Sequence, residues 1–124
     1  MEFMDIIKEN SKLLNDFKGY IKVVSHYDAD GISSAAILCS ALRRNGNDFS
    51  IRIVKRIDED LIEELNAENP DLIIFTDIGS SYDLTNLKPR AIILDHHKSK
   101  KLFKKKCFRN KFHEFFNRRI FFLL

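Results

Sequence analysis

Residues 72–79 read Leu72-Ile73-Ile74-Phe75-Thr76-Asp77-Ile78-Gly79. Four consecutive large apolar residues leave no polar face, so a strand here must be covered on both sides. Strands of that kind belong to parallel sheets sandwiched between helices. The apolar run stops at Thr76-Asp77. In open parallel sheets ligands bind beyond the carboxyl ends of the strands, so Asp77 stands where chemistry is expected.

The same pattern recurs on either side. Ala91-Ile92-Ile93-Leu94 is a second wholly apolar strand, and it runs into Asp95-His96-His97. Upstream, the short β-branched run Ile21-Lys22-Val23-Val24-Ser25 leads into His26-Tyr27-Asp28-Ala29-Asp30-Gly31. Phe49 to Val54 alternates as a strand and ends in Lys55-Arg56, a basic pair that faces either a phosphate or water. Helical stretches separate these strands. Phe3–Phe17 carries an imperfect apolar stripe (Ile6, Ile7, Leu13, Leu14, Phe17) closed by Gly19. Gly31 opens a helix with Ile32, Ala35, Ala36, Cys39 and Leu42 on one stripe, and Asn45-Gly46 closes it. Asp58 is a natural N-cap for a helix bearing Leu61, Ile62 and Leu65; Glu59 and Asp60 suit its dipole, and Pro70 marks the exit. Tyr82–Leu87 reads as a short helix or loop. The expected fold is α/β: a parallel sheet of about four strands with helices on both faces, joined by right-handed crossovers.

Size and composition narrow the function classes. A chain of 124 residues with 44% hydrophobic content makes one small domain with a real core. No stretch approaches the ~18–20 apolar residues that cross a bilayer. The start, Met1-Glu2-Phe3-Met4-Asp5, lacks the basic flank and apolar core of a secretory signal. The two cysteines, Cys39 and Cys107, make no disulfide framework, and a cytoplasmic location fits. The net charge of +3 hides an asymmetry. Residues 98–124 hold ten Lys/Arg and one acid, or +9; the remaining eleven bases and seventeen acids give −6. The tail also has no Gly, Ala, Val, Asp or Pro, yet carries seven of the eleven Phe. So abrupt a change reads as a boundary, with 1–97 an α/β unit and 98–124 a basic Phe/Lys-rich tail.

Asp28, Asp30, Asp77 and His96 come from three strand ends that only the fold brings together. One or two imidazoles with several carboxylates suit Mn²⁺ or Mg²⁺ better than a thiolate-preferring metal. Two such ions about 3.5–4 Å apart activate a water and clamp a phosphoryl oxygen, which is hydrolysis of a phosphate ester or anhydride. Each position also has a plainer reading. A single Asp after a strand is usually a turn or helix cap, His-His is often a polar loop, and Asp28-Ala29-Asp30-Gly31 lacks the further ligands of a calcium loop. Three strand-end hits in order favour the metal site. Cys39 fits the core stripe of its helix, Tyr27 packing, and Ser80 and Ser81 a capping loop.

The three motifs resemble the DHH phosphoesterase family, whose name is the triplet at Asp95-His96-His97. Ser25-His26-Tyr27-Asp28-Ala29-Asp30-Gly31-Ile32-Ser33-Ser34-Ala35 is similar to its first motif and Thr76-Asp77-Ile78-Gly79 to its second. The Asp-Ala-Asp-Gly form and the leading helix resemble the RecJ-like branch, especially archaeal exonuclease relatives, over residues 5–97. The resemblance implies a two-manganese centre, with Mg²⁺ the other ion of the same class, held by His26, Asp28, Asp30, Asp77 and His96. Asp77 would bridge both ions. Asp95 would orient the histidines, and His97 would touch the scissile phosphate. The implied reaction is attack of hydroxide on a phosphodiester of single-stranded DNA or RNA, and replication proteins are a further implied partner class.

The family pattern continues past the triplet with another Asp ligand and a substrate-gripping domain, whereas no Asp follows Lys98. This sequence therefore resembles the first part of such an enzyme. The tail supports two readings: a shifted reading frame or truncated product of A/T-rich DNA, or a basic arm. In the second, Phe112, Phe115, Phe116 and Ile120 recur at helical spacing beside Lys111, Arg118 and Arg119, and Lys98, Lys100 and Lys101 are nucleic-acid contacts. His113 and Cys107 have no assigned role. Besides a truncated exonuclease, two other functions fit: a non-catalytic nucleic-acid-binding or replication scaffold module, and a small-molecule phosphatase acting on pyrophosphate or oligonucleotides.

Overall fold

A computed structural model describes residues 3–97 and 119–123. In chain order the elements are α1 (Phe3–Asp16), β1 (Tyr20–His26), α2 (Ala29–Arg44), β2 (Asp48–Val54), α3 (Glu59–Glu68), β3 (Leu72–Thr76), β4 (Ala91–Asp95) and β5 (Arg119–Leu123). All strand pairs are parallel, in the order β2-β1-β3-β4-β5.

The alternation of side chains along each strand divides the core in two. Val24, Ile73, Phe75, Ala91 and Ile93 face α3, where they meet Leu61, Ile62 and Leu65. Ile21, Val23, Leu72, Ile74 and Ile92 face the other way, against Leu42, with Leu38 and Cys39 of α2 and Leu14 of α1 packed alongside. Helices therefore cover both faces, as four consecutive apolar residues in β3 require. Residues 82–87 form turns, not a helix, and the fully buried Leu84 plugs this loop onto the α3 side.

The helix ends follow local chemistry. Asp58 caps α3 by accepting from the Leu61 amide at 3.0 Å. Asn69 ends it in the left-handed conformation (φ 49°), and Pro70 blocks continuation.

The sheet is wider than expected from the sequence by one strand. In sequence, Ile120 to Leu123 reads as the end of a helical stripe or of a misread tail, but the backbone of β5 pairs in parallel with β4 from Ala91↔Arg119 to Asp95↔Leu123. A run of five residues with four large apolar side chains satisfies a strand as readily as a helix, and periodicity does not separate the two at that length. The remainder of the tail, including Lys98, Lys100, Lys101, Cys107, Phe112, His113, Phe115 and Phe116, lies outside the described residues. Among the described residues no helix is long and apolar enough to cross a membrane.

The strand order reverses direction between β1 and β3, the two strands that carry the first and second acidic motifs. That switch point is where open α/β sheets form their crevice. Leu65 is buried on the α3 side and Ile37 of α2 is 73% exposed. Leu65→Ala is expected to cost about 2–5 kcal/mol in urea unfolding, and Ile37→Ala less than about 0.5 kcal/mol.

Candidate metal centre

β1 delivers the first group of ligands. At its end Gly31 packs so tightly that a Cβ there would lie 2.0 Å from the His26 carbonyl oxygen, so no other residue permits the strand to turn directly into α2. Asp28 caps that helix: its Oδ1 accepts from the Gly31 amide at 2.8 Å. This hydrogen bond holds the Asp28 carboxyl below its usual range. The plain reading and the functional one hold together, because Oδ2 is turned to His26 Nδ1 at 2.9 Å. That approach is close enough for an ion pair but is not directed as a ring N–H bond, and Nδ1 is buried without a hydrogen-bond partner.

β3 delivers the centre. Asp77 is 6% exposed and takes a left-handed backbone (φ 59°), uncommon for a residue with a side chain and most tolerable for Asp and Asn. Its amide donates to the Leu94 carbonyl at 2.8 Å, which fixes it against the end of β4. Oδ2 is buried with no hydrogen-bond partner and lies 4.0 Å from His26 Nδ1. Burial pushes the Asp77 carboxyl up from its ordinary range; the facing Asp28 carboxylate adds to this, and His96 offsets part of it.

β4 delivers the third group. His96 Nε2 stands 2.9 Å from Asp77 Oδ1. Asp95 is 3% exposed. Its Oδ2 accepts from the amide and hydroxyl of Ser80 at 3.1 and 2.6 Å, and its Oδ1 from the amide and Nδ1 of His97 at 3.2 and 2.5 Å. Burial raises the Asp95 carboxyl, but these donors outweigh it and hold the group below its usual range. The same bond to Asp95 raises the His97 imidazole, against a smaller opposing effect of burial.

Two groups of ligand atoms result, each within 4.8 Å of one another: His26, Asp28 and Asp77, and Asp77, Asp95, His96 and His97. Asp77 belongs to both. The residues fit a cation. A buried carboxylate oxygen and a buried imidazole nitrogen without donors are what a cation would satisfy. In the second group Asp95 already accepts four hydrogen bonds, which fills the capacity of its two oxygens, so Asp77 and the two imidazoles are left as its available ligands.

Asp30 belongs to neither group; it is exposed in the first turn of α2. The helix begins at Ala29, and residues two apart on a helix do not face each other. The sequence reading also missed Ser25, whose buried hydroxyl reaches the carbonyls of Gly31 at 2.6 Å and Thr76 at 3.0 Å. It ties the first motif to the second. A small hydroxyl at the end of a β-branched run is the only signal for it. Tyr27 stacks edge-on to His26, with ring centroids 4.9 Å apart.

Residues 20–113 match the family model of the DHH family, N-terminal domain. The chain belongs to the DHH family. An uncharacterized protein of Methanocaldococcus jannaschii is 42% identical over 96 residues, 73% of this DHH chain and 22% of that protein. Among solved structures, RecJ in complex with Mn²⁺ from Thermus thermophilus superposes with a TM-score of 0.65 at 29% identity, over 77% of this chain and 15% of its own. An exonuclease RecJ bound to manganese gives 0.66 at 27%, over 77% and 28%. The RecJ-like resemblance of the three motifs is thereby borne out. CDC45 from Entamoeba histolytica gives 0.60 at 18%, over 97% and 24%, a likeness of fold alone. This DHH chain spans less than a third of the length of each of these proteins.

Two expectations follow for the metal-free protein. Ionised Asp77 is disfavoured in the fold, so Asp77→Asn is expected to raise the melting temperature in chelator while abolishing any rise on adding Mn²⁺. A lower melting temperature in chelator contradicts this. The raised His97 imidazole stabilises the fold below its unfolded range and loses that contribution as pH rises through the folded value. The depressed Asp95 carboxyl stabilises above its unfolded range and loses its contribution as pH falls. The stability difference between wild type and His97→Gln should therefore be largest between about pH 4 and 6.5 and shrink on either side.

Proposed function

We propose that this chain carries the metal-binding part of a manganese-dependent phosphoesterase that acts on single-stranded nucleic acid as an exonuclease, with Mg²⁺ as the alternative ion. The observation that carries the proposal is the sharing of Asp77 by two adjacent ligand groups, since a carboxylate common to both would keep two ions as close together as a two-metal hydrolase uses them. His26, Asp28, Asp77 and His96 would hold the ions, and Asp30 completes the set by the family resemblance alone. The unit in this reading is residues 1–97, followed by the basic stretch 98–124, whose described strand β5 joins the same sheet beside β4.

A bound ion pair would supply Lewis acidity, lowering the pKa of a water and offsetting charge on a phosphoryl oxygen. The protein's own groups do the rest. The N-terminus of α2 opens at the same edge and favours an anionic substrate there. His97, held through Nδ1 by Asp95, is half exposed at the edge with its other nitrogen free of that bond. As an imidazolium it donates to a phosphate oxygen in the transition state. Asp77 and Asp28 keep the ligand edge negative, and so dependent on a cation. Single-stranded DNA or RNA is the proposed substrate, replication proteins are proposed partners, and the cytoplasm is the proposed location. The supporting facts are the likeness to manganese-bound RecJ and the conjunction of motifs at one edge.

Single-stranded oligonucleotides labelled at the 5′ or the 3′ end, incubated with Mn²⁺, test this. The expected result is release of nucleotides from one end, reduced about 10²–10³-fold by His97→Ala. Retained strand binding without cleavage would make the chain a non-catalytic module. Turnover of pyrophosphate or dinucleotides alone would make it a small-molecule phosphatase.

A further inference from the structure

Ser80 lies outside the three motifs, in the loop between β3 and β4, yet it is 2% exposed and spends both of its donors on one atom. Its amide and its hydroxyl reach Asp95 Oδ2 at 3.1 and 2.6 Å, and the hydroxyl oxygen also stands 3.3 Å from the His97 carbonyl. A hydroxyl has one proton, and the shorter bond to a carboxylate claims most of it. The second oxygen of Asp95 is then left for His97 alone, which meets it through both its amide and its ring Nδ1. Without the Ser80 hydroxyl, Oδ2 would keep only the amide, and the carboxylate could rotate so that a buried oxygen sought a donor elsewhere.

We propose that Ser80 is a positioning residue: by saturating one oxygen of Asp95 it aims the other at His97 and fixes that ring with its proton on Nδ1 and its Nε2 toward the substrate edge. The ring orientation is set three links away from the reacting phosphate, from hydroxyl to carboxylate to imidazole. Buried partners of this kind govern tautomer and orientation in imidazole sites generally. The consequence for turnover rests on the exonuclease reading, whereas the geometric claim stands without it.

The test is nitrogen-15 NMR of the imidazole rings in the metal-free 124-residue chain, with the pH raised until the His97 resonances are those of a neutral ring. In wild type the His97 Nδ1 should carry the pyrrole-type resonance and Nε2 the pyridine-type one; the reverse assignment overturns the proposal. In Ser80→Ala the two tautomers should mix, and Ser80→Thr, which keeps the hydroxyl, should restore the wild-type pattern. Ser80→Cys preserves the volume with a poor donor and should behave as Ser80→Ala, which covers the case in which the smaller residue fails to fold. An unchanged His97 tautomer in a folded Ser80→Ala or Ser80→Cys protein overturns the proposal. With Mn²⁺ and single strands, turnover should fall about 10–100-fold in Ser80→Ala and return in Ser80→Thr. A wild type with the expected tautomer and no turnover refutes the exonuclease reading and leaves the role of Ser80 in place.

Discussion

A carboxylate held away from water without a hydrogen bond for one of its oxygens is costly, and Asp77 is such a group. Everything distinctive about this edge of the sheet follows from tolerating it. The residue sits where β3 ends beside the reversal of strand order, in a left-handed backbone braced by the Leu94 carbonyl. From there its two oxygens look in different directions, one toward His26 and one toward His96. A neutral core would gain from replacing it. A cation site requires it, and stability is commonly surrendered at sites of that kind.

The rest of the fold makes that arrangement rigid. The two apolar layers immobilise β1, β3 and β4, so the three strand ends arrive at fixed spacing. Buried serines then stitch the ends together. Ser25 joins β1 to the first turn of α2 and to β3, and Ser80 joins the loop after β3 to the aspartate that ends β4. Hydrogen bonds out of water hold geometry well because breaking one leaves a buried group unsatisfied. Asp28 adds a third fastening, since a single carboxylate both caps α2 and faces His26.

Much of this was legible in the residues. Leu72 to Phe75 require a doubly covered strand, Asp58 and Asn45-Gly46 mark helix ends, and three motifs at the ends of parallel strands point to one edge. At that edge His26 and Asp28 gather on one side of Asp77, and Asp95, His96 and His97 on the other. What was not legible has physical reasons. Ile120 to Leu123 is apolar throughout, and such a run is compatible with helix or strand until its partner is known. Ser80 and Ser81 are indistinguishable in sequence, and only the path of the loop decides which of them reaches Asp95. Asp28 and Asp30 look equivalent at a spacing of two, but the helix starts between them and sends them apart.

The most direct measurement is anomalous scattering from crystals grown with Mn²⁺. The account predicts density bounded by His26, Asp28 and Asp77, with further density beside Asp77 and His96. Manganese bound elsewhere on the chain, with that edge left vacant at saturating ion, would contradict it.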